Sequence, residues 1–273
     1  MIINFNNFIN ENKLNEIPIK NFSKYLNSMA KGIDDKLFFI NLIDTDCIVD
    51  YGCADGTILR IIQKLKPKIK LIGYDIDPDM INICKSKSNG IEFYSNWDDV
   101  IDNINGKSAS IFLSSVIHEV YTYSNSNEIK YFWNNEVFSN IFKYLIIRDM
   151  MSSIKYEKFN LNKESLYKIR INSNKEQLFE FENYWGSINN NFRTLLHWLL
   201  KYRYVENWDR ELYENYLPLT IETIKTKIPK DWKIYYENYS ILPFLKDIIK
   251  KDFDVDITFP THLKMIIMNE NAH

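Results

Sequence analysis

The sequence predicts an α/β fold, a doubly wound and mostly parallel sheet with helices on both faces. Three observations predict it. From residue 47 onward, short apolar runs alternate with helix-length stretches. The first two runs, Cys47–Tyr51 and Lys70–Tyr74, enclose a turn holding two of the chain's seven glycines, Gly52 and Gly56. The second run ends on an acidic residue, Asp75. Strand, glycine turn, helix, strand and terminal carboxylate together make one half of a nucleotide-binding α/β unit.

The elements follow in order. Residues 14 to 43 read as helices, broken near Gly32 to Asp35. Cys47 to Tyr51 is the first strand, and Thr57 to Leu65 its helix, stopped by Pro67. Lys70 to Tyr74 is the second strand. Pro78 opens the next helix, at a position whose N–H has no helical partner in any case. That helix runs to about Lys87, and Gly90 separates it from a third strand, Ile91 to Tyr94. Ala109 to Ser114 is the fourth strand, followed by a loop. A helix from about Glu128 to Phe142 leads to the fifth strand, Tyr144 to Arg148. The alternation lapses over 151–217, which is helical and polar. It resumes with a strand at Trp232 to Ser240, a helix from Leu242 to Lys251 and a strand at His262 to Met268.

Composition bounds the function. At 273 residues, 45% hydrophobic and 26% charged, the chain is an ordinary globular one. A net charge of −2 offers no global basic surface for a polyanion. Cys47, Cys53 and Cys84 form no C-x-x-C pair and an odd set, so neither a zinc knuckle nor a disulfide framework is indicated. No run of eighteen apolar residues and no basic-then-apolar leader appears, which predicts a cytoplasmic protein with no membrane partner.

Two glycines four apart in so glycine-poor a chain predict a ligand pressed against the backbone of the turn. A dinucleotide site wants G-x-G-x-x-G, whereas the turn here is Gly52-Cys-Ala-Asp-Gly-Thr57, with Ala54 in the middle and Thr57 at the end. The stretch Asp50-Tyr51-Gly52-Cys53-Ala54-Asp55-Gly56 resembles instead the first motif of class I S-adenosylmethionine-dependent methyltransferases, [DE]-x-G-x-[GA]-x-G. The resemblance covers residues 45 to 150, and 230 to 268 in outline. It implies a Rossmann-like sheet of seven strands, the last antiparallel beside the fifth. It divides the chain into an N-terminal helical cover (1–44), a cofactor-binding core (45–150), a helical insertion on the acceptor side (151–217) and the C-terminal part of the core sheet (218–273).

The same resemblance implies S-adenosyl-L-methionine as cofactor. It places Asp50 near the amino-acid end, the bare turn of Gly52, Ala54 and Gly56 against the cofactor, and Asp75, followed by Ile76, on the ribose hydroxyls. A carboxylate contributes roughly 1.5–3 kcal/mol per charge-assisted bond. After the third strand, Asn96 and Trp97 are candidates for the adenine ring. The alternative there is a helix cap at Asp98 or Asp99 with Trp97 in the core.

Ser114 closes a strand leading into Val116-Ile-His118-Glu119-Val-Tyr121, which resembles the fourth motif of small-molecule methyltransferases. His118 is then the candidate proton acceptor, with Glu119 as its substitute or orienting partner. The alternative for His118 is a helix cap or a backbone hydrogen bond. Thr122 stands where an H-E-x-x-H metal site needs its second histidine, so no metal is predicted. Arg148 and Asp149 leave the fifth strand at the same rim and, with Tyr121, are candidates for the acceptor site. In the insertion, Arg193, His197 and Lys201 recur every four residues, either as a grip for an anionic acceptor or as a solvated face. The function these features predict is methyl transfer to oxygen or nitrogen of a small molecule. The alternatives are a nucleic-acid acceptor or an inactive methyltransferase-like binding module.

Overall fold

A computed structural model describes residues 33–159 and 161–272, with the side chain of Asp34 left aside. The helices predicted within 14–32 lie outside the described residues. Seven strands form one sheet: β1 (Cys47–Tyr51), β2 (Lys70–Tyr74), β3 (Glu92–Tyr94), β4 (Ala109–Ser114), β5 (Phe142–Met150), β6 (Trp232–Ser240) and β7 (His262–Asn269). Their order is β3-β2-β1-β4-β5-β7-β6. Strands β1 to β5 run parallel, and β7 is antiparallel to both β5 and β6. The order reverses between β1 and β4, and the carboxyl ends of those strands flank the crevice where such sheets bind ligands.

The sheet is buried on both faces, so its strands are continuous apolar runs and not alternating ones. Cys47, Val49 and Tyr51 of β1 face one core layer, and Ile48 faces the other. Beyond the second face lie α2 (Thr57–Leu65) and α3 (Pro78–Lys87), together with the short α1 (Ile33–Lys36) and the turns after it. Against the first face pack α4 (Trp97–Ile104), α5 (Ile117–Tyr123) and α11 (Ile221–Lys227). A π-helical turn, Phe132–Val137, follows α6 (Ser126–Tyr131) and contributes Phe132 and Trp133 to that layer.

The helices between β5 and α11 are α7 (Lys163–Asn172), α8 (Lys175–Trp185), α9 (Phe192–Lys201) and the one-turn α10 (Trp208–Glu211). They build a third core of their own with α12 (Pro243–Phe253), centred on Phe181, Trp198 and Phe253. Asn162, Asn174 and Asn191 cap α7, α8 and α9, each accepting from a backbone N–H in the first turn. The asparagine-rich composition of this segment is thus partly helix punctuation.

Two elements depart from the sequence reading. The loop expected after β4 is a helix, α5, entered through Ser115 at φ +58°. The long helix expected before β5 is two short pieces, and β5 begins at Phe142, inside the span read as helix. Full burial of Phe142 as a strand residue outweighs its local helical context.

Candidate active site

The turn after β1 is held almost entirely by backbone and carboxylates. Gly52 N and Cys53 N both donate to Tyr74 O, at 2.8 and 2.9 Å. Gly52, Ala54 and Gly56 all adopt positive φ, at +77°, +47° and +74°. A Cβ on Gly52 would stand 2.8 Å from Val116 Cγ2, and one on Gly56 3.0 Å from the Phe93 ring. The glycines predicted to admit a ligand therefore also admit the protein's own side chains. Asp55 fixes the far side of the turn, accepting from Thr57 N and pairing with Arg60 and Lys87.

Asp75 reaches across to the same turn. Its two oxygens accept from Ala54 N at 2.9 Å and Asp77 N at 3.0 Å. Burial pushes its pKa up to about 7, against the pull of those two N–H groups. Ile76, half-buried, follows it at the rim.

Asp50 is 1% exposed, and its Oδ2 has no hydrogen-bond partner among the described residues. Ser114 Oγ, at the end of β4, is likewise buried without a partner. A buried carboxylate oxygen left unpaired is costly. Burial raises the Asp50 pKa to about 7, although the charge of Lys36 opposes the shift. Two orphaned acceptors beside a left-handed turn are the cradle that a ligand carrying an ammonium and hydroxyls fits. The residues present therefore suit S-adenosylmethionine.

Asn96 caps α4 with its side-chain carbonyl, accepting from Asp98 N at 2.9 Å. Trp97 is buried, its ring against Tyr51 and Tyr74 with centroids 5.2 and 5.1 Å away. The cap falls at Asn96, two or three residues before the positions the sequence suggested. Tyr51 in turn donates its hydroxyl to the buried Glu136 of the π-helical turn at 2.8 Å.

The other half of the crevice is ordered by β5. Arg148 is buried and binds Asp35 Oδ2 through Nε and Nη2, both at 2.9 Å, and Ser115 Oγ through Nη1 at 3.1 Å. Lys264 on β7 pairs with the other oxygen of Asp35. Asp149 accepts from Ile117 N at 2.9 Å and Met150 N at 2.8 Å, and its Oδ1 stands 3.3 Å from His118 Nδ1. His118 therefore lies in the first turn of α5 with its ring oriented by Asp149, not by Glu119. Burial alone lowers the imidazole's pKa, but the Asp149 hydrogen bond and charge prevail and raise it to about 9. The imidazolium form of His118 is therefore the favoured one at neutral pH.

Glu119, 37% exposed, faces the cap, with Arg210 at 3.9 Å. Desolvation and then the nearby Glu214 carboxylate raise its pKa. Tyr121 accepts from Trp133 Nε1 at 3.0 Å, which ties it to the π-helical turn. Glu214 accepts from Tyr123 OH at 2.7 Å and Arg210 Nε at 2.8 Å, and the Tyr216 ring meets His118 edge-on at 5.1 Å. Thr122 closes the contact, donating to His118 O and accepting from Asn215 N.

The four-residue basic row of α9 matches neither expectation, because its groups are turned inward. Arg193 donates to Leu217 O, the ring Nε2 of His197 lies 3.2 Å from Glu214 O, and Lys201 Nζ donates to Glu211 O and Glu214 O at 2.7 Å each. The row stitches the segment 211–217 over α5. Its spacing was legible, but not its direction. Lys36, 6% exposed and within electrostatic reach of Asp50, was missed for the same reason. Among the described residues no three His, Cys, Asp or Glu side chains gather as a metal site, and all three cysteines are free and buried. No helix among them is long and apolar enough to cross a membrane.

No protein-family model and no curated protein matches the chain. Solved structures do. The plantazolicin methyltransferase BamL, solved with a triazolic desmethylPZN analog and SAH, is similar over 98% of this chain and 97% of its own, at 14% identity and a TM-score of 0.52. A SAM-dependent methyltransferase from Anabaena variabilis ATCC 29413 is similar over 97% and 93%, at 12% identity and a TM-score of 0.51. With the strand order described above, these likenesses show the class I methyltransferase fold.

Proposed function

We propose that this protein is an S-adenosylmethionine-dependent methyltransferase acting on oxygen or nitrogen of a small-molecule acceptor. The observation that carries the reading is the orphaned pair of buried oxygens, Asp50 Oδ2 and Ser114 Oγ, beside a turn with three left-handed residues. Both similar structures are described as methyltransferases, and BamL was solved with SAH. Asp75, already shaping the turn, accepts from ribose hydroxyls with its remaining lone pairs. Asp50 holds the cofactor's ammonium, with Gly52, Ala54, Gly56 and Ser114 around it. Ile76 and Asn96 border the adenine end, while Trp97 supports it from the core. When bound, S-adenosylmethionine supplies a methyl group on a sulfonium sulfur that leaves uncharged.

The rest is the work of this chain's own residues. Asp149 holds His118 by Nδ1, which leaves Nε2 for proton exchange with the acceptor. Because the pKa is raised to about 9, His118 accepts a proton only in its minority neutral form at pH 7, a form that grows as pH rises toward 9. Glu119, half-exposed with a raised pKa, is the second proton acceptor at the same rim. Arg148 and Asp149 act by positioning, since their hydrogen bonds go to Asp35, Ser115, Ile117 and His118, and Tyr121 acts from the second rank through Trp133. The helical segment 151–217 is the acceptor-side cap, through Glu214 and Tyr216. Its basic row turns inward, which favours a small acceptor over a polyanion.

A thermal-shift comparison tests this. S-adenosylhomocysteine raises the melting temperature and NAD does not. A rise with NAD alone overturns the reading. A mass-spectrometric screen of small molecules and RNA for a gain of one methyl group then separates the acceptor classes, and no transfer to either points to a binding module.

A further inference from the structure

A cavity of about 430 Å³ opens where the C-terminal ends of α7, α9 and α12 meet the N-terminal end of α8. That volume suits a small ligand, and none of its lining residues belongs to the crevice described above. The side chain that marks it is Gln177. It is 6% exposed, it lines the cavity, and its Nε2 has no hydrogen-bond partner among the described residues. A buried amide donor left unpaired is costly. Gln177 is the third residue of α8 after the cap Asn174, where a glutamine ordinarily reaches back to the N–H of the cap. At the start of α6 the equivalent pair, Asn125 and Glu128, makes both halves of that exchange. In α8 only Asn174 takes part, accepting from Glu176 N and Gln177 N, and the Gln177 amide stays on the cavity wall.

The rest of the wall sets donors and acceptors side by side. Asn174 uses its carbonyl on the helix, which leaves Nδ2 as a donor. Asn172 gives Nδ2 to Lys168 O, which leaves its carbonyl as an acceptor. Tyr202 donates to Asp252 Oδ2 at 2.8 Å, which leaves Oδ1. The wall carries one positive side chain, Arg203, and one negative, Asp252, and the rings of Tyr202 and Phe253 add apolar faces.

We propose that this cavity is a second ligand site, for a small neutral polyhydroxylated ring of the monosaccharide or disaccharide class. A hydroxyl donates and accepts at one atom, so neighbouring hydroxyls match amide N–H groups interleaved with carbonyl and carboxylate oxygens. The C–H face of such a ring covers aromatic carbon. A simple anion would meet Asp252 and a simple cation would meet Arg203, each a like charge. Gln177 Nε2 gains its acceptor from the ligand by rotation of the terminal amide, whose torsion is soft.

Titration of the full nitrogen-15-labelled chain with glucose and with maltose tests the site, read by NMR at the side-chain amides of Asn172, Asn174 and Gln177. Both sugars shift these resonances saturably, in the millimolar range or tighter, while acetate and the zwitterion glycine do not. Gln177→Leu keeps the volume, removes the unpaired donor and weakens sugar binding about tenfold, the loss of one hydrogen bond. The two asparagine resonances report that variant. Asn172→Ala, at the exposed edge of the cavity, is the second variant should the buried change disturb folding, which circular dichroism checks, and it brings a similar loss. Three results each overturn the site: no saturable shift with either sugar, an undiminished affinity in the folded variants, or shifts with acetate or glycine and not with the sugars.

Discussion

Asp149 holds His118 by the ring nitrogen Nδ1 at 3.3 Å while its other oxygen accepts from Ile117 N at 2.9 Å, so one carboxylate fixes both the start of α5 and the imidazole on it. Asp149 lies near the end of β5, and His118 in the first turn of α5, the helix that follows the neighbouring strand β4. The parallel register makes the contact.

Asp149→Asn should abolish the raised titration of His118. The folded-state pKa, about 9, lies above the ordinary 6.5, so the pair's stabilisation is complete below pH 6.5 and is lost as pH rises through 9. Without the Asp149 carboxylate, burial is opposed only by the charges of Glu119 and Glu214, and the pKa falls. Imidazole NMR titration reads the change directly. The variant should lose about 3 kcal/mol of stability at pH 6 and little at pH 9.5. An unshifted titration would sink the assignment.

Asp50→Asn should stabilise the ligand-free protein and weaken cofactor binding together. The Asp50 pKa is raised from 3.8 to about 7, so burying it costs stability that accrues as pH rises from 3.8 to 7. The gain from asparagine is complete above pH 7, roughly 2–4 kcal/mol, and fades as pH falls to 3.8. Melting curves at pH 5 and pH 8, paired with S-adenosylhomocysteine titrations, measure both effects. Stability and function trade against each other at this residue.

Gly52→Ala should damage the turn twice, through its φ of +77° and through the 2.8 Å approach to Val116. The backbone strain costs about 1–3 kcal/mol. Adding Val116→Ala relieves the contact and not the strain, so the double variant recovers part of the loss. A double-mutant cycle by chemical denaturation measures the coupling, and strict additivity would mean the contact does not matter.

Lys201→Met should loosen the cap without unfolding the sheet. Lys201 is fully buried, and its ammonium serves the carbonyls of Glu211 and Glu214. Each carbonyl left without a donor costs about 1–3 kcal/mol. Hydrogen exchange should quicken in 208–217 and stay slow in β1, β4 and β5. Uniform quickening would instead mean that cap and sheet open as one unit.

Much of this was legible in the sequence because it is written locally. The runs Cys47–Tyr51 and Ala109–Ser114 are apolar enough to be strands wherever they sit, and Pro67, Pro78 and Gly90 punctuate the helices between them. The turn from Asp50 to Gly56 carries its own signature, since positive φ at two of its positions selects glycine. Helix α5 was hidden because Ser115, a non-glycine residue at φ +58°, breaks the strand where no turn residue announces it.

What the sequence could not decide is direction and partnership. Arg193, His197 and Lys201 have the same four-residue spacing whether they face water or the carbonyls of 211–217. Only packing chose the second. His118 and Asp149 are 31 residues apart, and Asp35 and Arg148 are 113 apart. The sequence by itself determined the sheet, the turn and the place of Asp50 and Asp75, because backbone conformation and apolar burial are settled over a few residues. The tertiary structure decided which charges meet. Desolvation makes an unpaired buried charge expensive, and that cost selects its partner from anywhere in the chain.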